Sequence, residues 1–314
     1  MAKNNNLHNA KATKNDEFYT RLEDIENELK YYKEHFKGKV VYCNCDGFLK
    51  KERSNFFLYF SLNYEFLGLK GLICTKYNPN GRGVKYEYYG DLNGNNYPDE
   101  EEIFTSELEG DGDFRSDECV ELLKKCDIVC TNPPFSLFRQ YVAQLFEYKK
   151  DFLIIGNVNA ITYKEVFPLI KDNKMWLGVS SFNKGMYFGV PDDYIYADTY
   201  KFDRERDGKK VMRVASICWF TNLDHKKRHE ELLLYKKYNA EEYPEYDNYD
   251  AIEVSKTKDI PIDYDGIMGV PITFLDKYCP TQFKIIKFRK GDDDKDLSVN
   301  GKCPYFRILI KRIS

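Results

Sequence analysis

The chain has 314 residues, 42% of them hydrophobic, so it can bury the core of one large globular domain or two modest ones. Its net charge of −3 does not indicate a strongly basic nucleic-acid-binding protein, and no stretch is long and apolar enough to cross a bilayer. The polar segment 1–12 lacks the apolar core of a signal peptide, so we expect a cytoplasmic location.

The first part of the chain alternates helical and strand patterns. The polar, Asn-rich residues 1–14 are predicted to form a flexible arm. Apolar residues at helical spacing predict an amphipathic helix over 22–36, which Gly38 ends. A buried strand over 40–45 follows, and then a helix over 54–66, for which Ser54 is a suitable N-cap.

The same alternation continues to about residue 160. A strand is predicted over 69–75, followed by an insertion or exposed edge over 78–112 that contains a strand pair around 84–89. The next elements are a helix from Ser116 to Lys125, a strand over 127–131, a helix over 137–148 and a strand over 152–157.

After Lys164 the pattern becomes β-rich. Segments 197–202 and 211–221, joined by a loop with Asp207-Gly208, predict an antiparallel hairpin. Buried strands that alternate with helices and close in such a hairpin indicate an α/β fold: a doubly wound, mostly parallel, Rossmann-like sheet with its ligand at the carboxyl ends of the strands. We expect this domain to span 15–221 and a separate region to span 222–314.

Cysteine and histidine spacing gives no sign of a metal site. The nine cysteines include no Cys-x-x-Cys pair, which favours buried, reduced thiols over disulfides or zinc. His225 and His229 are four residues apart in a basic segment without a third ligand nearby, so we expect a solvated helix face there and no metal.

The most informative motif is Asn132-Pro133-Pro134-Phe135, directly after the strand 127–131. The lone pair of an aromatic amine is drawn into its ring, so the amine attacks a methyl donor poorly unless it becomes tetrahedral. The side-chain oxygen of Asn132 and the carbonyl of Pro133 can each accept one amine hydrogen, and both bonds strengthen as positive charge develops. The motif therefore predicts transfer of a methyl group to a planar nitrogen.

The other residues of the motif suit the same chemistry. Two prolines stiffen the turn and carry no competing N–H, and Phe135 can stack on a purine. An amide cannot keep the proton, so we expect direct in-line transfer without a covalent enzyme intermediate. The alternative is that the Asn-Pro-Pro run is simply a rigid turn after a strand.

Several segments together resemble the S-adenosylmethionine-dependent DNA adenine-N6 methyltransferases, and among them the EcoRI-type modification methylases. The similarity extends through most of the chain and is carried by residues 14–20, 40–46, 110–115, 132–135 and 269–276. It implies a class I methyltransferase fold and S-adenosyl-L-methionine as cofactor, with Asn132 to Phe135 as the catalytic loop and region 222–314 as the target-recognition region.

The resemblance also implies a cofactor site. Residues beside the methionine part of the cofactor are Phe18, Tyr19, Thr20 and Asp46, while Asp113 accepts a hydrogen bond from its adenine amine and Phe114 lies against the ring. The family's usual glycine-rich turn is reduced to Gly47, and no acidic residue follows the strand 69–75 to hold the ribose. Asp46 or Tyr77 is a candidate for that role.

The implied partner is double-stranded DNA, from which the adenine must rotate out of its stack to reach the loop. A cognate restriction endonuclease is a further candidate partner, and we expect the enzyme to act as a monomer. Two other functions stay open: methylation of another planar nitrogen, in a protein glutamine or an RNA base, and an inactive relative that only binds nucleic acid.

Overall fold

The computed structural model describes residues 19–45, 54–180 and 185–313. They fall into two compact units. The first comprises the described residues within Met1–Ala160 and Gly178–Leu223, and the second those within Ile161–Leu177 and Asp224–Ser314. The second unit therefore includes a short segment that precedes the end of the first unit in the sequence.

The strands, in chain order, are β1 (Tyr19–Thr20), β2 (Val40–Cys43), β3 (Gly71–Lys76), β4 (Val84–Tyr88), β5 (Phe104–Glu107), β6 (Ile128–Thr131), β7 (Asp151–Asn157), β8 (Trp176–Leu177), β9 (Met186–Gly189), β10 (Glu205–Arg206), β11 (Lys209–Val214), β12 (Ile217–Thr221), β13 (Glu245–Tyr246), β14 (Tyr249–Glu253), β15 (Ile267–Pro271), β16 (Phe283–Phe288) and β17 (Arg307–Arg312).

The α-helices are α1 (Leu22–Leu29), α2 (Lys33–Phe36), α3 (Asn55–Leu62), α4 (Tyr64–Leu67), α5 (Asp117–Lys125), α6 (Phe138–Glu147) and α7 (Phe167–Lys171). Ser54 and Ser116 cap α3 and α5 as predicted, since their hydroxyls accept hydrogen bonds from the N–H groups of Phe57 and Cys119. These caps fix where both helices begin.

A large mixed sheet organises the first unit. Seven of its strands lie in the order β5-β4-β3-β2-β6-β7-β12. The pairs β3–β2, β2–β6 and β6–β7 are parallel, whereas β5–β4, β4–β3 and β7–β12 are antiparallel. The predicted α/β class is thus confirmed. The sheet is mixed, with three parallel and three antiparallel pairs among these strands, so the prediction of a mostly parallel sheet is not confirmed.

Helices pack on the central strands. Ile25 of α1 and Phe56 of α3 are fully buried in a hydrophobic cluster that includes Val41 of β2 and Trp219 of β12. The central strands themselves are almost wholly buried, which is why they are nearly continuous apolar runs. Because β3, β2, β6 and β7 run parallel, their carboxyl ends lie at the same edge of the sheet.

The predicted hairpin between 197–202 and 211–221 was wrong. Segment 197–202 contains no strand, and β11 pairs instead with β10 across the Asp207-Gly208 turn and with β9. Ser216 has a φ of 59° and separates β11 from β12, which joins the large sheet. The segment 211–221, predicted as one strand, is therefore interrupted at Ser216, and its two halves belong to different sheets.

A five-stranded sheet, in the order β13-β14-β15-β17-β16, forms the second unit. Only β14 and β15 are parallel; the other neighbours are antiparallel. Its buried side chains include Phe274, Phe283 and Ile310, and the ring of Phe167 on α7 lies 5.0 Å from that of Phe288. This unit has its own apolar core.

The cysteines are free, as predicted, and all nine lie in described segments; seven are buried, while Cys45 is half-buried and Cys303 is exposed. Within 19–45, 54–180 and 185–313 no three His, Cys, Asp or Glu side chains are placed to hold a metal ion. The predicted solvated helix face was wrong for His225, which is buried with a ring nitrogen 3.0 Å from the Leu177 carbonyl. No helix in the described part of the chain is both long and apolar enough to span a membrane.

Candidate active site

The loop Asn132–Phe135 leaves the carboxyl end of β6, a strand with β2 on one side and β7 on the other. All four residues of β6 are buried. Pro133 is also buried, whereas Asn132, Pro134 and Phe135 are half-buried. The loop therefore lies at the edge of the sheet where the parallel strands end, with part of its surface open to solvent.

The two prolines give the loop a defined turn. The Leu137 N–H donates to the Pro134 carbonyl at 2.9 Å, which closes the 3-10 turn Phe135–Leu137 that leads into α6. The Pro134 carbonyl is thus used within the turn. Of the two proline carbonyls, that of Pro133 is therefore the candidate acceptor for a substrate hydrogen.

Phe135 is anchored by a second aromatic ring. Its ring meets that of Phe188 nearly edge to face, with centroids 6.4 Å apart and an angle of 80°. Phe188 is fully buried on β9, so it gives Phe135 a rigid neighbour. This contact joins the loop to the sheet that contains β1, β9, β11 and β10.

That sheet also contains Tyr19 and Thr20, two of the residues predicted to bind the cofactor. β1 pairs antiparallel with β9, with Thr20 opposite Phe188 and Tyr19 opposite Gly189. Thr20 is 2% exposed, and its hydroxyl oxygen has no hydrogen-bond partner in the described segments. Since opposite residues in a strand pair share a face, Thr20 lies beside the ring that supports Phe135. The predicted residues Phe18 and Asp46 lie outside the described residues.

The predicted residues Asp113 and Phe114 belong to a loop at the carboxyl end of β3. The Asn78 N–H donates to the Asp111 carbonyl at 2.8 Å. Gly112 has a φ of +82°, and a Cβ atom there would lie 2.6 Å from the Lys76 carbonyl oxygen. Only glycine suits this backbone and this close approach, so the loop is held directly across the end of the strand.

Asp113 forms a bidentate ion pair with Arg115. Arg115 donates from Nε to Oδ1 at 2.8 Å and from Nη2 to Oδ2 at 2.6 Å. The hydrogen bonds from this guanidinium hold the pKa of the Asp113 carboxyl below its usual range. Arg115 also donates to Gln140 of α6 at 3.1 Å. Asp113 Oδ1 also accepts from the Arg115 backbone N–H at 2.9 Å. Asp113 is therefore an ionised acceptor, and Oδ2 has a further lone pair for a ligand.

Asn44 is a candidate site residue that the sequence analysis missed. It directly follows β2, is 2% exposed, and its Oδ1 accepts a hydrogen bond from the hydroxyl of Tyr141 on α6. Its Nδ2 is buried and has no hydrogen-bond partner in the described part of the chain. A polar residue at the carboxyl end of an apolar strand was the available signal.

Phe114 completes this group. Its ring meets that of Tyr141 edge to face with centroids 5.0 Å apart, and its carbonyl accepts from Gln144 Nε2 at 3.1 Å. Asn44, Tyr141 and Phe114 therefore form one contact chain from β2 through α6 to the Gly112 loop. The candidate site residues therefore form two groups. One is the contact chain Asn44–Tyr141–Phe114, and the other is the loop Asn132–Phe135 with Phe188 and Thr20.

Two threonine hydroxyls connect the carboxyl ends of neighbouring strands near these two groups. The Cys45 N–H donates to the Thr131 hydroxyl at 3.3 Å, and the Thr75 hydroxyl donates to the Asn44 carbonyl at 3.3 Å. Thr75 also lies 3.0 Å from the Tyr42 hydroxyl. Tyr77, the other ribose candidate, is 49% exposed just beyond β3.

Comparison with known proteins identifies related sequences over nearly the whole chain. The family model described as "Adenine-specific methyltransferase EcoRI" matches residues 6–313. Type II methyltransferase M.EcoRI of Escherichia coli is 55% identical over 323 residues, which cover 99% of this chain and 97% of the relative. Type II methyltransferases M.MgeORF184P of Mycoplasma genitalium and M.MpnI of Mycoplasma pneumoniae are each 38% identical, with 96% of this chain and 97% of the relative covered. No solved structure gives a significant match.

Proposed function

The chain belongs to the adenine-specific EcoRI family of DNA methyltransferases, and on this premise we propose that it moves a methyl group from S-adenosylmethionine to the N6 amine of an adenine turned out of duplex DNA. The observation that carries the proposal is the position of the loop Asn132–Phe135 at the carboxyl end of a central parallel strand, beside a second group of buried polar and aromatic residues.

Asn132 and Pro133 act on the target amine. One amine hydrogen is donated to Asn132 Oδ1, which is a buried atom, and the other to the Pro133 carbonyl. Both acceptors favour the tetrahedral nitrogen over the planar one, so they stabilise the transition state more than the ground state. The amide does not keep the proton, which passes to water after direct in-line transfer.

Pro134 and Phe135 position the base. Pro134 holds the turn through its bond from Leu137, and Phe135 is fixed by its contact with Phe188. A ring held in this way can stack on the purine and feel the positive charge that develops on its amine. Rotating the adenine out of the duplex costs a few kcal/mol, which stacking here offsets in part.

The residues present fit S-adenosylmethionine. Asn44 Nδ2 and Thr20 Oγ1 are buried polar atoms without partners in the described segments, and such atoms cost about 1 to 3 kcal/mol unless a ligand satisfies them. Asp113 would accept from the adenine amine, Phe114 would hold the adenine ring, Tyr19 and Thr20 would hold the methionine part, and Asn44 would donate to a polar group. When bound, the cofactor supplies a methyl group activated by its sulfonium.

The fold favours the same placement. The order of the central strands β3, β2, β6 and β7 supports a Rossmann-like class I core, because the chain first adds β3 on one side of β2 and later β6 on the other. Ligands of doubly wound sheets bind outside the carboxyl ends at such a switch point. Asn44 and the loop Asn132–Phe135 follow β2 and β6, the two strands that flank it.

The second unit, with the chain from about residue 222, binds duplex DNA and reads the target site. A cognate restriction endonuclease is a partner in the same system, and the enzyme works as a monomer that modifies one strand at a time. The type II relatives support a role in restriction and modification.

The test is to incubate the purified chain with methyl-labelled S-adenosylmethionine and unmethylated duplex DNA. We expect the label on adenine N6, and a duplex already methylated at its target adenines is the control and should take up none. Label found only on protein or RNA would refute the proposal, as would cofactor binding without transfer to any DNA.

A further inference from the structure

Two lysines stand directly opposite each other in the second unit. In the pairing of β16 with β17, Lys284 is opposite Lys311, and both side chains are exposed. Residues opposite each other in an antiparallel pair point to the same face, with Cβ atoms about 5 Å apart. Neither lysine has a carboxylate within ion-pair distance among the described residues.

The other three cations on these strands are neutralised. Lys287 lies 3.7 Å from Asp292, Arg307 is 2.6 Å from Glu253, and Arg312 is 3.6 Å from Asp265. The opposed lysines thus differ from these three residues, because each lies opposite another cation and has no carboxylate within ion-pair distance among the described residues. Like charges in this arrangement repel, so the pair is a local source of instability in the free protein.

Protection of a sheet edge explains only one of the two lysines. β16 is an edge strand, and a lysine such as Lys284 discourages pairing with another chain. β17 lies inside the sheet, between β15 and β16, and Lys311 is also opposite Ile267 of β15. An interior strand has no edge to protect, so Lys311 requires another explanation.

We propose that Lys284 and Lys311 together bind the phosphodiester backbone of duplex DNA. This inference rests on the proposed function and adds the surface by which the second unit holds its substrate. A phosphate between the two ammonium groups would turn their repulsion into attraction to a shared anion. The net charge of the whole chain is −3, so local cationic sites of this kind must supply the attraction to DNA.

The test compares two double variants. Lys284→Gln with Lys311→Gln removes the pair. The matched control, Lys295→Gln with Lys302→Gln, removes the same charge from the loop that joins the opposite ends of β16 and β17, where Lys295 and Lys302 are both exposed. The dissociation constant for a duplex with the target site and for one without it is measured by fluorescence anisotropy at several salt concentrations.

We expect the slope of log Kd against log salt to fall by about 1 to 2 in the pair variant but not in the control. Affinity should weaken for both duplexes by the same factor, since phosphate contacts carry no sequence information. Thermal unfolding without DNA should occur at the same or a higher temperature than in the wild type, because a repulsion has been removed.

An unchanged slope in the pair variant, or a loss confined to the duplex that contains the target site, would overturn the proposal. The wild type separates this failure from that of the proposed function. If it methylates DNA while the pair variant keeps its salt slope, only the surface assignment is wrong. If the wild type neither binds nor methylates duplex DNA, the proposed function itself fails.

Discussion

Tyr141 donates its buried hydroxyl to Asn44 Oδ1 across 97 residues of sequence, and so ties α6 to the carboxyl end of β2. Burial raises the pKa of Tyr141 well above its usual value, so the phenol stays protonated and remains a donor. This bond orients the Asn44 amide and leaves Nδ2 available for a ligand. A single hydrogen bond therefore connects the helix after the loop Asn132–Phe135 to the proposed cofactor site.

Tyr141→Phe should weaken cofactor binding by releasing the Asn44 amide. Stability should also fall by about 1 to 2 kcal/mol, because a buried acceptor loses its donor. Titration with S-adenosylhomocysteine and chemical denaturation measure the two effects, and Tyr31→Phe is the control because Tyr31 is 52% exposed. Lost stability with unchanged affinity would show that Asn44 has only a structural role.

Asn132→Ala should lower kcat by about 100-fold or more, since one of two acceptors for the amine is lost. Cofactor affinity should stay near that of the wild type, because this side chain acts on the target base. Asn132→Asp keeps an acceptor oxygen and should lose less activity than the alanine variant. Single-turnover methylation assays measure the rates, and wild-type turnover by the alanine variant would contradict the assigned role.

Gly112→Ala should disturb the loop that carries Asp113 and Phe114, the proposed cofactor residues. The φ of +82° and the approach of Cβ to the Lys76 carbonyl oxygen force the backbone to move, at a cost of about 1 to 3 kcal/mol. Since Asp113 and Phe114 come next, affinity for S-adenosylhomocysteine should fall with stability. Gly110→Ala is the matched control, because a Cβ at Gly110 meets nothing within 4 Å. Equal effects of the two variants would argue against this account.

Asp24→Asn should stabilise the protein above about pH 6. Burial raises the pKa of Asp24 to about 6, although the nearby Arg21 guanidinium opposes the shift, and its Oδ2 is buried without a partner in the described segments. The native state therefore holds a proton between about pH 4 and 6 that the unfolded state has lost, so stability falls as the pH rises through this range.

At about pH 8 the free energy of unfolding of Asp24→Asn should exceed that of the wild type by about 1 to 2 kcal/mol, with allowance for the partial exposure of Asp24. This difference should disappear near pH 4. Urea denaturation at a series of pH values measures it. Glu23→Gln removes the same charge from an exposed neighbour with a side chain 65% exposed, and should change little. A constant difference between Asp24→Asn and the wild type at every pH would contradict the assignment.

Local patterns were sufficient for much of the first unit. Strand β6, the turn Phe135–Leu137 and helix α6 follow from an apolar run, two prolines and helical spacing, all of which act over a few residues. The Ser54 and Ser116 caps are equally local. The hairpin over 197–221 failed because the positive φ of Ser216 is a backbone break that periodicity does not reveal.

The sequence by itself determined the central strands, the caps, the family and the position of the loop Asn132–Phe135, because each depends on residue types at short spacing or on similarity along the whole chain. Only the tertiary structure placed Thr20 beside Phe188 and Phe135, and Asn44 against Tyr141. Such contacts join residues far apart in sequence, so they depend on how strands pair and helices pack. That packing is cooperative, so these contacts cannot be predicted from residue patterns over short stretches of sequence.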